Sequence, residues 1–212
     1  CIIPTRALVA ASEPTVADYV RALIRHVDVF ELGNELELED PAPPEIHATI
    51  VDHHIQDLRR QFGDRFRYIY PGVSSTKAGI RQLREYARMP TWPGEAVNIH
   101  AYGRAWRFWR LTYLKTALDD FTRLIAPEGL SAWDTLAVER RPVWITETGH
   151  PNPDLHGAWL DAVVRGADKF VPLPFRVYWY VAMHPETSPH AGYALATPVG
   201  DSDYRPQSPL LW

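Results

Sequence analysis

The chain has 212 residues, 46% of them hydrophobic and 23% charged, with a formal net charge of −4. That balance suits one globular domain over residues 1–212 with a sizeable core. The scattered Lys and Arg form no basic patch, which argues against nucleic acid as a partner, and no apolar run approaches the roughly 20 residues of a membrane span.

In chain order, Cys1 to Arg6 reads as a short strand, and Ser12-Glu13-Pro14 as the cap of a helix carrying Val16, Tyr19, Val20, Leu23 and Ile24 on one stripe. A strand ending at Glu35 follows. Glu37, Glu39 and Asp40 beyond it read as a solvated loop, with a smaller chance that one of them lines a groove. Pro43-Pro44-Glu45 opens a helix whose Ile46, Ile50, Val51, Ile55, Leu58 and Phe62 recur about every four residues. Arg65 to Tyr70 is the next strand, closed by Pro71-Gly72, and Ser74-Ser75-Thr76 supplies caps for a helix with Ile80, Leu83 and Tyr86. Ala96 to Gly103 is a further strand on which Asn98, His100 and Tyr102 share a face. A long aromatic helix is expected from about Ala105 to Ala126, with Leu130 to Val138 as its extension or a second short helix. After the strand around Glu147, Asn152-Pro153-Asp154 starts a helix with Leu155, Trp159, Leu160, Val163, Val164 and Ala167 on one side. Phe175 to Val181 is the last strand, and the tail beyond His190 suits a loop with a short hairpin. Strands alternating with helices predict a parallel sheet with right-handed crossovers, which gathers the strand ends on one face.

Two of those ends carry carboxylates. In Arg141-Pro142-Val143-Trp144-Ile145-Thr146-Glu147-Thr148-Gly149-His150, alternation puts Val143, Ile145 and Glu147 on one face, with the charge at the tip of an apolar row. An ionised carboxylate is expensive to bury, so Glu147 reads either as facing a cleft or as an exposed loop residue. Val27-Asp28-Val29-Phe30-Glu31-Leu32-Gly33-Asn34-Glu35 repeats the design and favours the cleft. Two strand-end glutamates suit glycoside cleavage, in which one carboxyl protonates the leaving oxygen while the other attacks or activates water. The 8 Trp and 10 Tyr are mostly packing residues, but aromatic faces also stack on sugar rings.

Gly33-Asn34-Glu35 and Ile145-Thr146-Glu147-Thr148-Gly149 resemble the acid/base and nucleophile signatures of clan A glycoside hydrolases, the retaining (β/α)8-barrel enzymes. The resemblance implies a TIM-type parallel β/α barrel, incomplete, with about six βα units matching strands 3 to 8. The tail, with Gly192-Tyr193-Ala194-Leu195, Gly200-Asp201 and Arg205-Pro206, is similar to the segment that follows strand 8 in the clan. The resemblance further implies a retaining hydrolase of β-linked oligo- or polysaccharides that needs no cofactor or metal. Glu35 would be the acid/base, Glu147 the nucleophile, and Asn34 the residue on the sugar 2-hydroxyl. His100 and Tyr102 match the His-x-Tyr of strand 6, where the tyrosine hydroxyl can donate to the nucleophile, and Tyr180 matches the strand 8 aromatic that floors the reactive subsite. An asparagine satisfied by a turn and a histidine packed in the barrel are the plainer readings of Asn34 and His100. His150 and His184 follow strand ends and read as loop residues or substrate contacts.

Three expectations concern what is unusual. Glu31, deeper on the face of Glu35, needs a buried partner such as arginine. The clan's strand 2 arginine has no counterpart, and Arg6 is a candidate for the same place. The open barrel edges call for a cover, for which a homo-oligomer is one form. The single Cys1 leaves no internal disulfide. Residue 1 is not Met, so the start is read as processed or trimmed, and a secreted or periplasmic location is favoured. A sugar-binding relic without catalysis is the alternative function. A metal hydrolase using His53-His54, or His100 with His150, is disfavoured, because neighbouring helical residues diverge by about 100°.

Overall fold

The computed structural model describes residues 1–10, 14–74, 76–102, 142–150, 152–170, 175–179, 196–199 and 203–206. Strand β1 (Ile2–Ile3) leads through α1 (Thr5–Val9) and α2 (Val16–Leu23) to β2 (Phe30–Leu32). Short α3 (Leu36–Glu39) and long α4 (Pro44–Phe62) connect to β3 (Tyr68–Ile69), and α5 (Lys77–Tyr86) connects to β4 (Val97–Tyr102). Then come β5 (Val143–Gly149), α6 (His156–Phe170) and β6 (Phe175–Trp179), followed by the hairpin of β7 (Ala196–Val199) and β8 (Asp203–Pro206). The predicted helices between Ala105 and Val138, and Tyr180 with His184, lie outside the described residues.

Strands β1, β2 and β3 pair in parallel, as do β4, β5 and β6. Two bridges join the sets. Asn34 continues the β2–β3 ladder to Gly72, and Val73 pairs with Ile99 of β4, whose neighbour His100 donates its N–H to the Val73 carbonyl at 2.9 Å. Six strands therefore run parallel in sequence order, as the alternation predicts, and their carboxyl ends share one rim.

The core lies between these strands and their helices. Phe30, Leu32, Leu36, Val51, Ile55 and Ile145 are fully buried. Helix α4 presents Ala48, Val51, Ile55 and Leu58 to the core, while Ile46 is 46% exposed. The expected stripe was out of phase there: five residues at about 100° each put Ile46 some 140° around the axis from Val51. The buried face carries Asp52 instead, which accepts from Thr91 Oγ1 at 2.5 Å and Tyr70 OH at 3.2 Å and so pins α4 to the β3–β4 connection. Leu155 and Val164, also expected on a buried stripe, are 41% and 40% exposed; Trp159 and Val163 form the buried side of α6.

The first segment differs most from expectation. Pro4 cannot donate to a ladder, so β1 stops at Ile3 and the chain turns into α1. Arg6 is consequently an exposed helix residue rather than a strand end. Buried Thr5 instead reaches the site, its Oγ1 donating to the Asn34 carbonyl and accepting the Asn34 N–H, each at 3.1 Å. The α2 cap is Thr15, boxed with Asp18, three residues beyond the expected Ser12, and the α5 cap is Thr76, as the Ser-Ser-Thr run suggests.

The phase of α4 is testable by urea unfolding. Ile55→Ala is expected to cost about 2–5 kcal/mol and Ile46→Ala less than about 0.5 kcal/mol. Equal losses would contradict the packing described.

Candidate active site

At the end of β2, Gly33 takes φ 98°, where an added Cβ would meet Leu36 and Leu8 methyl carbons at 2.6 Å. Glu35 follows with φ 36° and ψ 52°, a left-handed conformation that costs a non-glycine residue about 1–2 kcal/mol and persists where surroundings enforce it. Here the Glu35 N–H donates to the Gly72 carbonyl at 3.0 Å and the next side chain, Leu36, is fully buried. The turn thereby directs the Glu35 carboxylate to the inner rim.

Strand β4 alternates as expected, with Val97 and Ile99 in the core and Asn98, His100 and Tyr102 on the inner side. Strand β5 does not. Its pairing slips between Ile145 and Glu147 against β4, and between Ile145 and Thr148 against β6. Ile145 is buried in the helix-side core and Thr148 accepts from Trp159 of α6 at 3.0 Å, while Thr146 and Glu147 both reach the inner groups. The expectation that Ile145 and Glu147 share a face is therefore corrected: a bulge re-aims Glu147.

These turns converge on one ring. The imidazole of His100, 1% exposed, has Nδ1 3.0 Å from Glu35 Oε1 and 3.7 Å from Glu147 Oε2. The two carboxylate oxygens are thus no farther apart than 3.0 Å plus 3.7 Å. Nε2 lies 3.2 Å from Thr146 Oγ1 and 3.7 Å from Glu31 Oε1. Tyr102 donates its hydroxyl to Glu147 Oε2 in a short hydrogen bond. Asn34 donates its side-chain amide to Glu39 at 3.0 Å, and its Oδ1 is buried with no hydrogen-bond partner among the described residues.

Charge follows burial. Burial opposes the His100 cation, but the closeness of Glu31, Glu35 and Glu147 outweighs it and pushes the pKa up to about 10. Burial raises the Glu147 carboxyl above its ordinary value, against the opposing pull of His100 and the Tyr102 hydroxyl. Glu37 is raised by burial as well; it accepts the Ser74 N–H at 2.7 Å.

Of the residues singled out in the sequence, Glu35, His100, Tyr102 and Glu147 come together, with Asn34 on the adjoining turn. Tyr180 lies outside the described residues. Glu31 is buried, and among the described residues its partners are His100 and the Gly72 N–H at 2.9 Å rather than an arginine. The acidic run is a helical turn rather than a loop, with Glu39 exposed as expected; Glu37 holds Ser74, Glu39 holds Asn34, and Asp40 holds the buried His47 at 2.9 Å. His150 is buried against Trp159, its Nδ1 accepting the Asn152 N–H at 3.0 Å. Thr146 and Gly72 carried no signal in the sequence. Gly72 matters because a Cβ there would stand 1.9 Å from His100 Nε2.

Below the rim the inner side opens into a cleft of about 430 Å³, bordered by Glu31 and Thr146 and continuing past Ile69, Trp144, Arg176 and Tyr178. Among the described residues no cluster of His, Cys, Asp or Glu is arranged to hold a metal ion, and no helix is long and apolar enough to cross a membrane.

No protein-family model and no curated protein matches the chain. Solved structures do. A GH128 (subgroup VI) exo-β-1,3-glucanase from Aureobasidium namibiae is 15% identical, the match covering 92% of this chain and 70% of that one with a TM-score of 0.56. An endo-β-1,4-glucanase from Xanthomonas axonopodis pv. citri is 15% identical over 92% of this chain and 64% of its own, with a TM-score of 0.58. The GH51 arabinofuranosidase of the same organism is 13% identical over 92% and 44%, with a TM-score of 0.58. The likeness is one of fold: these are TIM-barrel glycosidases, of the clan A kind that the motifs resemble, and the present chain is α/β with parallel sheets.

The His100 proton couples the site to stability. Its folded pKa of about 10 exceeds the ordinary 6.5, so the folded form binds the proton more tightly. The stabilisation is complete below about pH 6.5 and is lost as pH rises through about 10. Thermal unfolding midpoints of the wild type are expected to fall across that interval, and His100→Gln is expected to flatten the decline; an unaltered slope would contradict the assignment.

Proposed function

We propose that the chain is a retaining glycoside hydrolase acting on β-linked glucans, with Glu35 as acid/base and Glu147 as nucleophile. One observation carries the reading. His100 Nδ1 reaches an oxygen of each carboxylate at 3.0 and 3.7 Å, so those oxygens stand at most about 6.7 Å apart; that bound includes the about 5–5.5 Å of a retaining pair and only the bottom of the roughly 6.5–9.5 Å range that lets water stand between them, which favours the retaining reading. The fold shared with exo-β-1,3- and endo-β-1,4-glucanases supports the substrate class.

In the first step Glu35 gives its proton to the glycosidic oxygen as Glu147 attacks the anomeric carbon; the leaving alcohol departs and a glycosyl ester forms on Glu147. In the second, Glu35 takes a proton from water, which attacks the same carbon and frees Glu147. The Tyr102 hydroxyl favours the ionised nucleophile. Asn34, with its unsatisfied Oδ1, would take the sugar 2-hydroxyl, and Tyr180 would floor the subsite. The barrel is proposed to be incomplete, with strands matching 3 to 8. Ile2 on β1 and Tyr178 on β6 are 41% and 44% exposed, which supports a cover there, such as a second copy of the chain.

The rival reading, a sugar-binding relic, draws support from Glu147 itself, because burial favours its protonated, non-nucleophilic form. Hydrolysis of laminari- and cello-oligosaccharides separates the two. Glu147→Gln is expected to lower kcat by about 10³-fold or more while binding persists. Glu35→Gln is expected to lose about 10²–10⁴-fold on oligosaccharides. With dinitrophenyl glycosides, whose leaving group needs no proton, it should still release an initial burst of phenol. A wild type that binds these sugars and never cleaves them would favour the relic.

A further inference from the structure

We infer that Glu31 is a positioning residue: buried under the site, it holds His100 as an imidazolium wedged between Glu35 and Glu147. The hydrogen-bond directions lead there. The Tyr70 carbonyl can only accept, so Asn98 gives it an amide proton at 3.1 Å and turns Oδ1 toward Thr146. Thr146 Oγ1, 2.6 Å from that oxygen, must donate to it. The Thr146 oxygen is then left to accept, and the group facing it at 3.2 Å is His100 Nε2, which therefore carries a proton. On the other side of the ring, Nδ1 faces Glu35 at 3.0 Å and Glu147 at 3.7 Å, and a proton there serves both carboxylates.

Glu31 is what makes the doubly protonated ring affordable so far from water. Its carboxylate is 4% exposed, 3.7 Å from Nε2, and otherwise accepts the Gly72 N–H at 2.9 Å. A buried carboxylate with so few donors needs a counter-charge, and a buried cation needs the same. Among the described residues the ion pairs of Glu31, Glu35 and Glu147 all run to His100. Among the described residues the titratable groups facing the ring are Glu31 from β2, Glu35 from the turn after it, Tyr102 from its own strand and Glu147 from β5. Gly72 leaves free the space that Nε2 occupies, since a Cβ there would stand 1.9 Å from it.

The inference deepens the glycosidase reading and rests on it for any consequence in turnover. A cation fixed between the two carboxylates lets them approach one sugar without mutual repulsion, and Glu31 sets the pH at which that cation is lost.

The test is the imidazole titration of His100, followed by ¹⁵N NMR and assigned with His100→Gln. In the wild type the ring is expected to carry two nitrogen-bound protons at pH 8. In Glu31→Gln, which keeps an acceptor for Gly72 but removes the charge, the midpoint is expected to fall by about one to three units. A neutral wild-type ring at pH 8, or a midpoint unmoved in Glu31→Gln, would overturn the inference; if that variant does not fold, the wild-type spectrum alone decides. An inactive wild type with the expected spectra would remove the glycosidase reading while leaving the charge state of His100 established.

Discussion

A single buried imidazole organises this molecule's rim. His100 has within 3.7 Å the carboxylates of three residues from two strands and a turn, and each arrives by a local departure from regular structure. Glu35 sits in a left-handed turn, Glu147 on a bulge, and Glu31 under a glycine whose missing side chain is the space the ring occupies. Such departures cost energy individually and persist where the packed scaffold around them is over-determined. Here that scaffold is the parallel ladder, with α1, α4 and α6 filling its outer side.

The electrostatic arrangement bears on the proposed chemistry. With Glu35 carrying the proton it is proposed to donate, the carboxylates of Glu31 and Glu147 around one cation leave a net negative charge at the rim, and the transition state of glycoside cleavage gathers positive charge at the anomeric carbon. Preorganised negative charge in a partly dry site favours that state over the neutral substrate. Burial also works against the site, since it favours the protonated form of Glu147. Tyr102 and His100 oppose that tendency, and this balance is what separates a nucleophile from a bystander in the proposed reading.

Much of this was legible in the sequence. Alternating strand and helix patterns predicted the parallel order, and the strand-end glutamates with His-x-Tyr singled out Glu35, Glu147, His100 and Tyr102, which the fold brings together. What escaped had physical causes. Strict alternation cannot foresee a bulge, so Ile145 was placed on the same face of β5 as Glu147. The partner of Glu31 was sought among arginines because a histidine is ordinarily neutral at pH 7, and only the surrounding carboxylates change that. Pro4 ended β1 at Ile3, short of the strand expected to reach Arg6, which moved Arg6 to the surface and Thr5 under Asn34. On α4, Asp52 took a core position through three hydrogen bonds to the β3–β4 connection that no periodicity reveals.

The claim on which the rest turns is that Glu35 and Glu147 stand close enough to act on opposite sides of one anomeric carbon with no water between them. The stereochemistry of the first-formed product tests it most directly. Cleavage of a β-glucan oligosaccharide followed by ¹H NMR from the first minutes, before mutarotation, should show the new reducing end appearing as the β-anomer. Initial release of the α-anomer would require a water between the carboxylates and would contradict the account.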